Sequence, residues 1–225
     1  MKYHVEFDLD FKQNPYPGRY IVLEGVNASG KTTQVDDLKA YYESLGKEVV
    51  ITREHNYDLP VGRLIQEILD GKKKVPSAAY QYLYTADRVI NHETIIVPAL
   101  KAGKIVFSSR SFWSALVYGI MDLGGTNYTR KDVDLMLVSQ GILSMYHMFL
   151  VPDNTFYLDV SVDTVLQRMD KMGSKRDMYE RKEKLQQLIQ GYQWVANQFP
   201  QEITQIDGEK SEKAVTEELI EKIHV

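Results

Sequence analysis

The sequence predicts an α/β fold in which a mainly parallel sheet is covered by helices on both faces. Three observations carry that expectation. Short strand-like stretches at 20–23, 49–51, 105–107, 155–158 and 203–206 alternate with stretches of helical periodicity, the pattern of crossover connections between parallel strands. Residues 25–32 read GVNASGKT and fit G-x-x-x-x-G-K-T, a phosphate-binding loop that belongs between a strand and a helix. The chain has 225 residues, 44% of them hydrophobic and 26% charged, enough for one sizeable core.

The first strand, 20–23, is continuously apolar, and the pattern after the loop places Val35, Leu38 and Tyr42 on one helix face. Between them, Gly25 and Gly30 allow the backbone angles that turn successive amides inward as a nest for phosphate oxygens. The triphosphate site predicted here is Gly25, Val26, Asn27, Ala28, Ser29, Gly30, Lys31, Thr32 and Thr33. Lys31 reaches the outer phosphates as a point charge, and the Thr32 hydroxyl suits a magnesium ion. The helix beginning near Lys31 points its positive end at the same place.

Residues 1–18 read as an arm. Val5, Phe7, Leu9 and Phe11 alternate with charged residues before Pro15, Pro17 and Gly18, the period of a half-buried strand. Such a segment covers an apolar patch or takes part in dimerisation. After the first helix stops near Gly46, the strand at 49–51 runs into Arg53, Glu54 and His55. An arginine at the carboxyl end of a buried strand stands where open parallel sheets bind ligands. A short helix is expected over 61–69, followed by a solvated turn at 71–74.

Ser77 is positioned to cap a long helical stretch in which Tyr80, Tyr84, Arg88 and Asn91 share a face. That face suits a wall that stacks on a flat ligand, and equally a packing stripe. The strand at 105–107 leads into Ser108, Ser109, Arg110 and Ser111, which puts a second arginine at a strand end. Helices are expected over 112–121 and 131–146, with His147 structural. The strand at 155–158 leads into Asp159. A helix through Leu166 and Met169 follows, and then the basic break GSKRD at 173–177, either a solvated connection or a lid delivering cations. Leu185, Leu188, Tyr192 and Val195 form another helical face, and Val215, Leu219 and Ile223 line the last helix.

The bulk numbers exclude several classes. There are no cysteines, so disulfides, thiolate metal sites and cysteine nucleophiles are ruled out. A net charge of -4 gives no reason to expect nonspecific binding to nucleic acid. No apolar run approaches a membrane span and the N-terminus lacks a signal-peptide pattern, so the expectation is a soluble, cytoplasmic protein without a membrane partner. No linker divides residues 19–225.

Taken together, YIVLEGVNASGKTTQ, TREH, YLYTADR with His92 beyond, PALKAGKIVFSSRSFWSALVYG, TFYLDVSVDTVLQR and IDGEKSEKAV resemble the thymidylate kinase family of P-loop nucleoside monophosphate kinases. The resemblance runs from about Arg19 to the C-terminus. It implies a P-loop NTPase fold with a five-stranded parallel sheet flanked by helices, a mobile helical lid and commonly a homodimer. The implied reaction moves the γ-phosphoryl group of ATP, taken with Mg2+, to dTMP. By the same resemblance Lys31 and Thr32 hold the triphosphate and its magnesium, and Arg53 and Arg110 hold the acceptor phosphate. Tyr84 takes the place of a phenylalanine that stacks on thymine, Arg88 addresses the base edge, and Tyr118 lies near the sugar and base. Arg168, Lys175, Arg176 and Arg181 fall on the lid side, and Arg176 is the catalytic candidate among them.

The chain also departs from the family pattern. Asn27 and Ser109 stand where carboxylates are usual, Ala28 where one branch has an arginine, His55 where a proline is usual, and Gly119 where a polar residue is frequent. On the residues alone, a deoxynucleoside kinase, a kinase for another or modified deoxynucleoside monophosphate, and a non-catalytic nucleotide-binding relative stay open. A nucleoside 5′-hydroxyl needs a general base, for which Glu54 is the candidate. Two strand-end arginines instead suit an anionic acceptor.

Overall fold

The computed structural model describes residues 11–76, 79–122, 139–173 and 181–223. Five parallel strands stand in the order β2-β3-β1-β4-β5: β1 (Arg19–Glu24), β2 (Val49–Arg53), β3 (Ile105–Ser109), β4 (Asn154–Asp159) and β5 (Ile203–Asp207). β1 is central, with Leu23 opposite Ser109 on one side and Phe156 on the other. A central strand is buried on both faces, which is why RYIVLE shows no polar alternation before Glu24. The five strand expectations therefore hold, with β2 extending to include Arg53.

Successive β1 side chains point to opposite faces, and the core divides accordingly. On one face Ile21 and Leu23 pack with Val35 and Leu38 of α1 (Lys31–Ser44) and with Val215 and Leu219 of the last helix. On the other, Tyr20 and Val22 join Ile96, Leu100 and Leu150. Beyond them lies a larger apolar layer from two later helices, with Trp113, Leu116 and Ile120 in one and Leu185, Leu188 and Val195 in the other.

The second helix, α2 (Pro60–Leu69), starts on a proline, which tolerates the first helical turn because its missing N–H has no partner there. The long helical stretch expected after Ser77 runs on in three pieces. They are α3 (Tyr80–Asn91), a π turn at His92–Ile96 and α4 (Val97–Lys101). Pro98 has no N–H to offer the preceding turn, so a regular ladder cannot run through this point. Ser77, the expected cap, lies outside the described residues.

α5 (Phe112–Asp122) follows β3 directly. The helix expected over 131–146 is described only from 139, is helical through 143 and then turns. His147 bonds the Ser144 carbonyl at 2.7 Å, in keeping with a structural role. α6 (Val162–Met172) is capped by Ser161, whose hydroxyl accepts from the Thr164 N–H, and it ends at left-handed Gly173. α7 (Lys182–Gln198) and α8 (Glu212–Lys222) complete the chain. The lid expectation falls on 173–177, of which all but Gly173 lies outside the described residues. So do residues 1–10 of the arm, but its end is in place. Phe11 stacks on Phe112 with centroids 5.7 Å apart, and the Val151 N–H donates to the Lys12 carbonyl. Phe11 thereby lies against the apolar layer that includes Trp113.

Candidate active site

The carboxyl ends of the strands open into a cleft of about 730 Å³, within the size range of small-molecule sites, roughly 300–1,000 Å³. The loop after β1 forms its floor. Gly25, Ala28 and Gly30 all have positive φ, at 138°, 58° and 108°. A side chain at Gly25 would come within 3.0 Å of the Leu158 carbonyl, so both conformation and space require glycine there. No side chain caps α1, which leaves its first amides free to take a ligand. Lys31 Nζ donates to the carbonyls of Gly25 and Val26 at 3.0 and 2.7 Å. Burial, reinforced by Arg110, holds the Lys31 ammonium well below the ordinary lysine range. Polyanionic phosphate reverses that bias. Val26 buries its side chain in the core and contributes only backbone, while Thr32 and Thr33 are exposed to the cleft.

Arg110 is the second feature. It has φ 78°, an unusual conformation for a bulky residue, and its N–H donates to the Leu23 carbonyl at 2.9 Å. The guanidinium donates to Tyr192 Oη at 2.6 Å, Asn27 Oδ1 at 2.7 Å and Ser114 Oγ at 3.3 Å, and lies over the Tyr118 ring. Arg53 lines the same cleft from the mouth. Its side chain is 42% exposed, pairs with Asp58 at 3.7 Å and covers Tyr57. In register Arg53 sits opposite Ser109, so the two strand-end arginines are neighbours across β2 and β3.

A buried carboxylate that sequence reasoning missed holds this region together. Glu24 Oε1 accepts from both the N–H and the hydroxyl of Ser111 at 2.8 Å, and Oε2 accepts from Ser114 Oγ at 2.6 Å. Tyr192 Oη lies 2.8 Å from Ser114 Oγ and so links α7 to the same network. Burial pushes the Glu24 carboxyl up, and the two serines and Arg110 oppose that. A carboxylate closing an apolar strand was a readable signal for Glu24. Tyr192 gave none, because its spacing belongs to a packing stripe.

α3 forms the opposite wall, but the four-residue face is corrected by the structure. Tyr84 and Arg88 line the cleft. Tyr80 sits over a small apolar crevice with Ile65 and Leu83, and Asn91 is buried, accepting from Thr52 Oγ1 at 2.6 Å. The helix turns only part of its stripe toward the cleft because α2 packs on Tyr80 and β2 takes up Asn91. Arg88 gives Nε and Nη2 to Glu54 Oε2 at 2.7 and 2.6 Å, both side chains being about 5% exposed or less. Its Nη1 is buried without a partner. Gln81, not singled out from the sequence, also lines the cleft.

Among the lid-side cations, Arg168 lines the cleft and donates to the carbonyls of Ser29 and Gly208 at 3.1 and 2.8 Å. Arg181 stands at the exposed start of α7, and Lys175 and Arg176 lie outside the described residues.

Asp87, on α3, accepts from the Asn56 N–H at 2.9 Å and so positions the segment after β2. Burial raises its pKa to about 6. The folded state therefore holds this proton to higher pH than the unfolded chain does. Stability from Asp87 is fully present below about pH 4 and falls as pH rises through 6. Replacing Asp87 with asparagine is expected to flatten the decline of melting temperature between pH 4 and 6. Glu24 contributes with the same sign, so some slope remains. Thermal melts of both proteins across that range provide the check.

Comparison with known proteins agrees with this geometry. The family model for thymidylate kinase matches residues 23–219. A thymidylate kinase of Pelotomaculum thermopropionicum is 35% identical over 203 residues, covering 88% of this chain and 89% of that protein. A probable thymidylate kinase of Thermococcus kodakarensis is 31% identical over 191 residues, covering 81% and 86%. Among solved structures, thymidylate kinase from Candida albicans superposes with a TM-score of 0.76 at 23% identity, over 91% of this chain and 90% of that one. That structure supports the fold, and the family match and the sequence relatives settle membership: the chain belongs to the thymidylate kinase family.

Proposed function

We propose that this protein transfers the γ-phosphoryl group of ATP to dTMP, giving dTDP and ADP. The observation that carries the reading is Arg110, held rigidly by Tyr192, Asn27 and Ser114 in the same cleft as the phosphate-binding loop. An ionised phosphate oxygen needs no general base; it needs positioning and charge neutralisation. Arg110 and Arg53 hold the acceptor phosphate, while the loop amides from Gly25 to Thr33 and Lys31 hold the triphosphate. Tyr84 stacks on the base, Arg88 donates to its edge, and Tyr118 lies by the sugar.

ATP enters with Mg2+, for which the exposed Thr32 hydroxyl is a suitable hard-oxygen donor. An ion that keeps several waters needs only one or two protein ligands. Charge neutralisation at the transferred group falls to Lys31, Arg168 and, from its position in the sequence, Arg176. The reading includes a single kinase domain over 19–225, an N-terminal arm, a homodimer and a cytoplasmic location. Among the described residues no helix is long and apolar enough to cross a membrane.

The nucleoside kinase alternative loses support because Glu54, its candidate base, is committed to Arg88 through one carboxylate oxygen. ATP consumption against a panel of deoxynucleosides and their monophosphates tests the proposal. dTMP is expected to turn over fastest and thymidine negligibly. Faster turnover of thymidine, or a clear preference for dGMP or dAMP, overturns it.

A further inference from the structure

We propose that Gln81 reads the imide edge of the acceptor base, with Gly119 keeping the space its amide occupies. The inference rests on the dTMP reading above and deepens it.

Two buried polar atoms in side chains that line the cleft lack partners: Gln81 Oε1 and Arg88 Nη1. One is an acceptor and the other a donor, and both belong to α3, seven residues apart with Tyr84 between them. Helical spacing places 81, 84 and 88 on one face. A buried polar group without a partner is costly, and two such groups beside one cleft point to a ligand that completes them. Neither is explained by the phosphate contacts.

Space around Gln81 is arranged to match. A Cβ on Gly119 would come 2.6 Å from Ile142 Cδ1, 2.9 Å from Gln81 Nε2 and 3.1 Å from Gln81 Cδ. The amide thus occupies the volume that any larger residue at 119 would take. Ala115, one turn earlier on α5, is also small and lines the cleft. Gly119 has no need of a left-handed backbone, since its φ is not among the positive values. Its small size makes room for the glutamine amide and for Ile142 Cδ1.

The chemistry then fits a thymine ring, whose edge presents carbonyl, N–H and carbonyl in that order. An amide is its complement: the oxygen accepts from N3–H and the nitrogen donates to one carbonyl. Arg88 Nη1 donates to the other. The terminal torsion of glutamine is broad, so a small rotation presents the amide to the ring. Cytosine offers an acceptor at N3 and an amino group beside it, the reverse of what the glutamine and Arg88 would meet in thymine.

The test compares kcat/KM for dTMP and N3-methyl-dTMP in the wild type and in Gln81→Met. N3-methylation is expected to cost the wild type on the order of ten- to a hundredfold, because it removes the donor and leaves the glutamine unpaired. In Gln81→Met, dTMP is expected to lose a similar factor, mainly in KM, and the penalty for methylation is expected to shrink. The KM for ATP is expected to stay the same. Full discrimination against N3-methyl-dTMP in Gln81→Met overturns the proposal. If that variant does not fold, Gly119→Ala displaces the same amide, and an unchanged methylation penalty there overturns it equally. Absence of any dTMP turnover by the wild type, with another acceptor used, sinks the substrate reading beneath it instead.

Discussion

Replacing Arg110 with alanine is expected to lower kcat for dTMP phosphorylation by about two to four powers of ten, the scale of a lost charge-stabilising donor. The structure explains why the effect belongs to this residue and is not shared with Arg53. Arg110 is buried, and its guanidinium is fixed by Tyr192, Asn27 and Ser114 at 2.6–3.3 Å. Burial opposes its charge, but Tyr118, Tyr192 and Glu24 more than offset this and raise its pKa above the ordinary arginine value. The group is charged before substrate arrives and needs little reorganisation during reaction. Arg53 is half exposed at the mouth, where solvent and salt screen it.

Backbone and side-chain effects separate cleanly. Glycine accepts φ 78° without strain, so Arg110→Gly is expected to match Arg110→Ala in rate but not in stability. Lysine restores the charge without the planar fork and should recover only part of the activity. Steady-state rates with dTMP, paired with the KM for ATP, make the measurement. A loss of less than tenfold in Arg110→Ala would show that the acceptor phosphate sits elsewhere.

Arg88→Met is expected to destabilise the fold by about 3–5 kcal/mol, the cost of leaving one partner of a buried ion pair uncompensated. At roughly 2–4 °C per kcal/mol for a chain of this size, the melting temperature falls by roughly 6–20 °C. The pair joins α3 to the end of β2: Glu54 receives Nε and Nη2 of Arg88, and Nη2 also reaches the Ser111 carbonyl at 3.3 Å. The guanidinium lies over the Tyr146 ring as well, 4.7 Å from its centroid. Removing the carboxylate too, in Arg88→Met with Glu54→Gln, takes away the unpaired charge and is expected to restore much of the loss. Activity should not return with it, because Arg88 is also assigned to the base. Melting curves of both variants decide the matter. A drop of only a few degrees in Arg88→Met would mean that water reaches Glu54.

How much of this was legible in the amino-acid order depends on how far apart the participating residues lie. The phosphate-binding loop is contiguous, so Gly25, Gly30, Lys31 and Thr32 declare themselves by spacing. The inner strands β1, β3 and β4 announce themselves because a parallel sheet buried on both faces demands apolar runs, while the edge strand β5, ITQID, carries a weaker signal. The strand-end positions of Arg53 and Arg110 follow from the apolar runs at 49–51 and 105–107. Helical spacing puts Tyr84 and Arg88 on one face, the resemblance adds Tyr118, and the fold brings all three to one cleft.

What holds them there was not legible. Glu24 meets Ser111 across 87 residues and Ser114 across 90, and Arg110 meets Tyr192 across 82. Tyr192 has the spacing of a core residue, and only its hydroxyl's neighbours turn it into a brace for Arg110. Tyr80 and Asn91 share the periodicity of Tyr84 and Arg88, yet Tyr80 packs against α2 and Asn91 turns to Thr52 of β2. Periodicity reports which side of a helix is buried, since burial depends on summed apolar area along a local pattern. It cannot report which polar atom meets which, because a hydrogen bond is decided within about 3 Å by chains that only tertiary packing brings together. Sequence thus determined the class of ligand and the five strands of a parallel sheet; the tertiary structure decided the order of those strands, which arginine is braced, which is exposed, and which buried polar groups still await a partner.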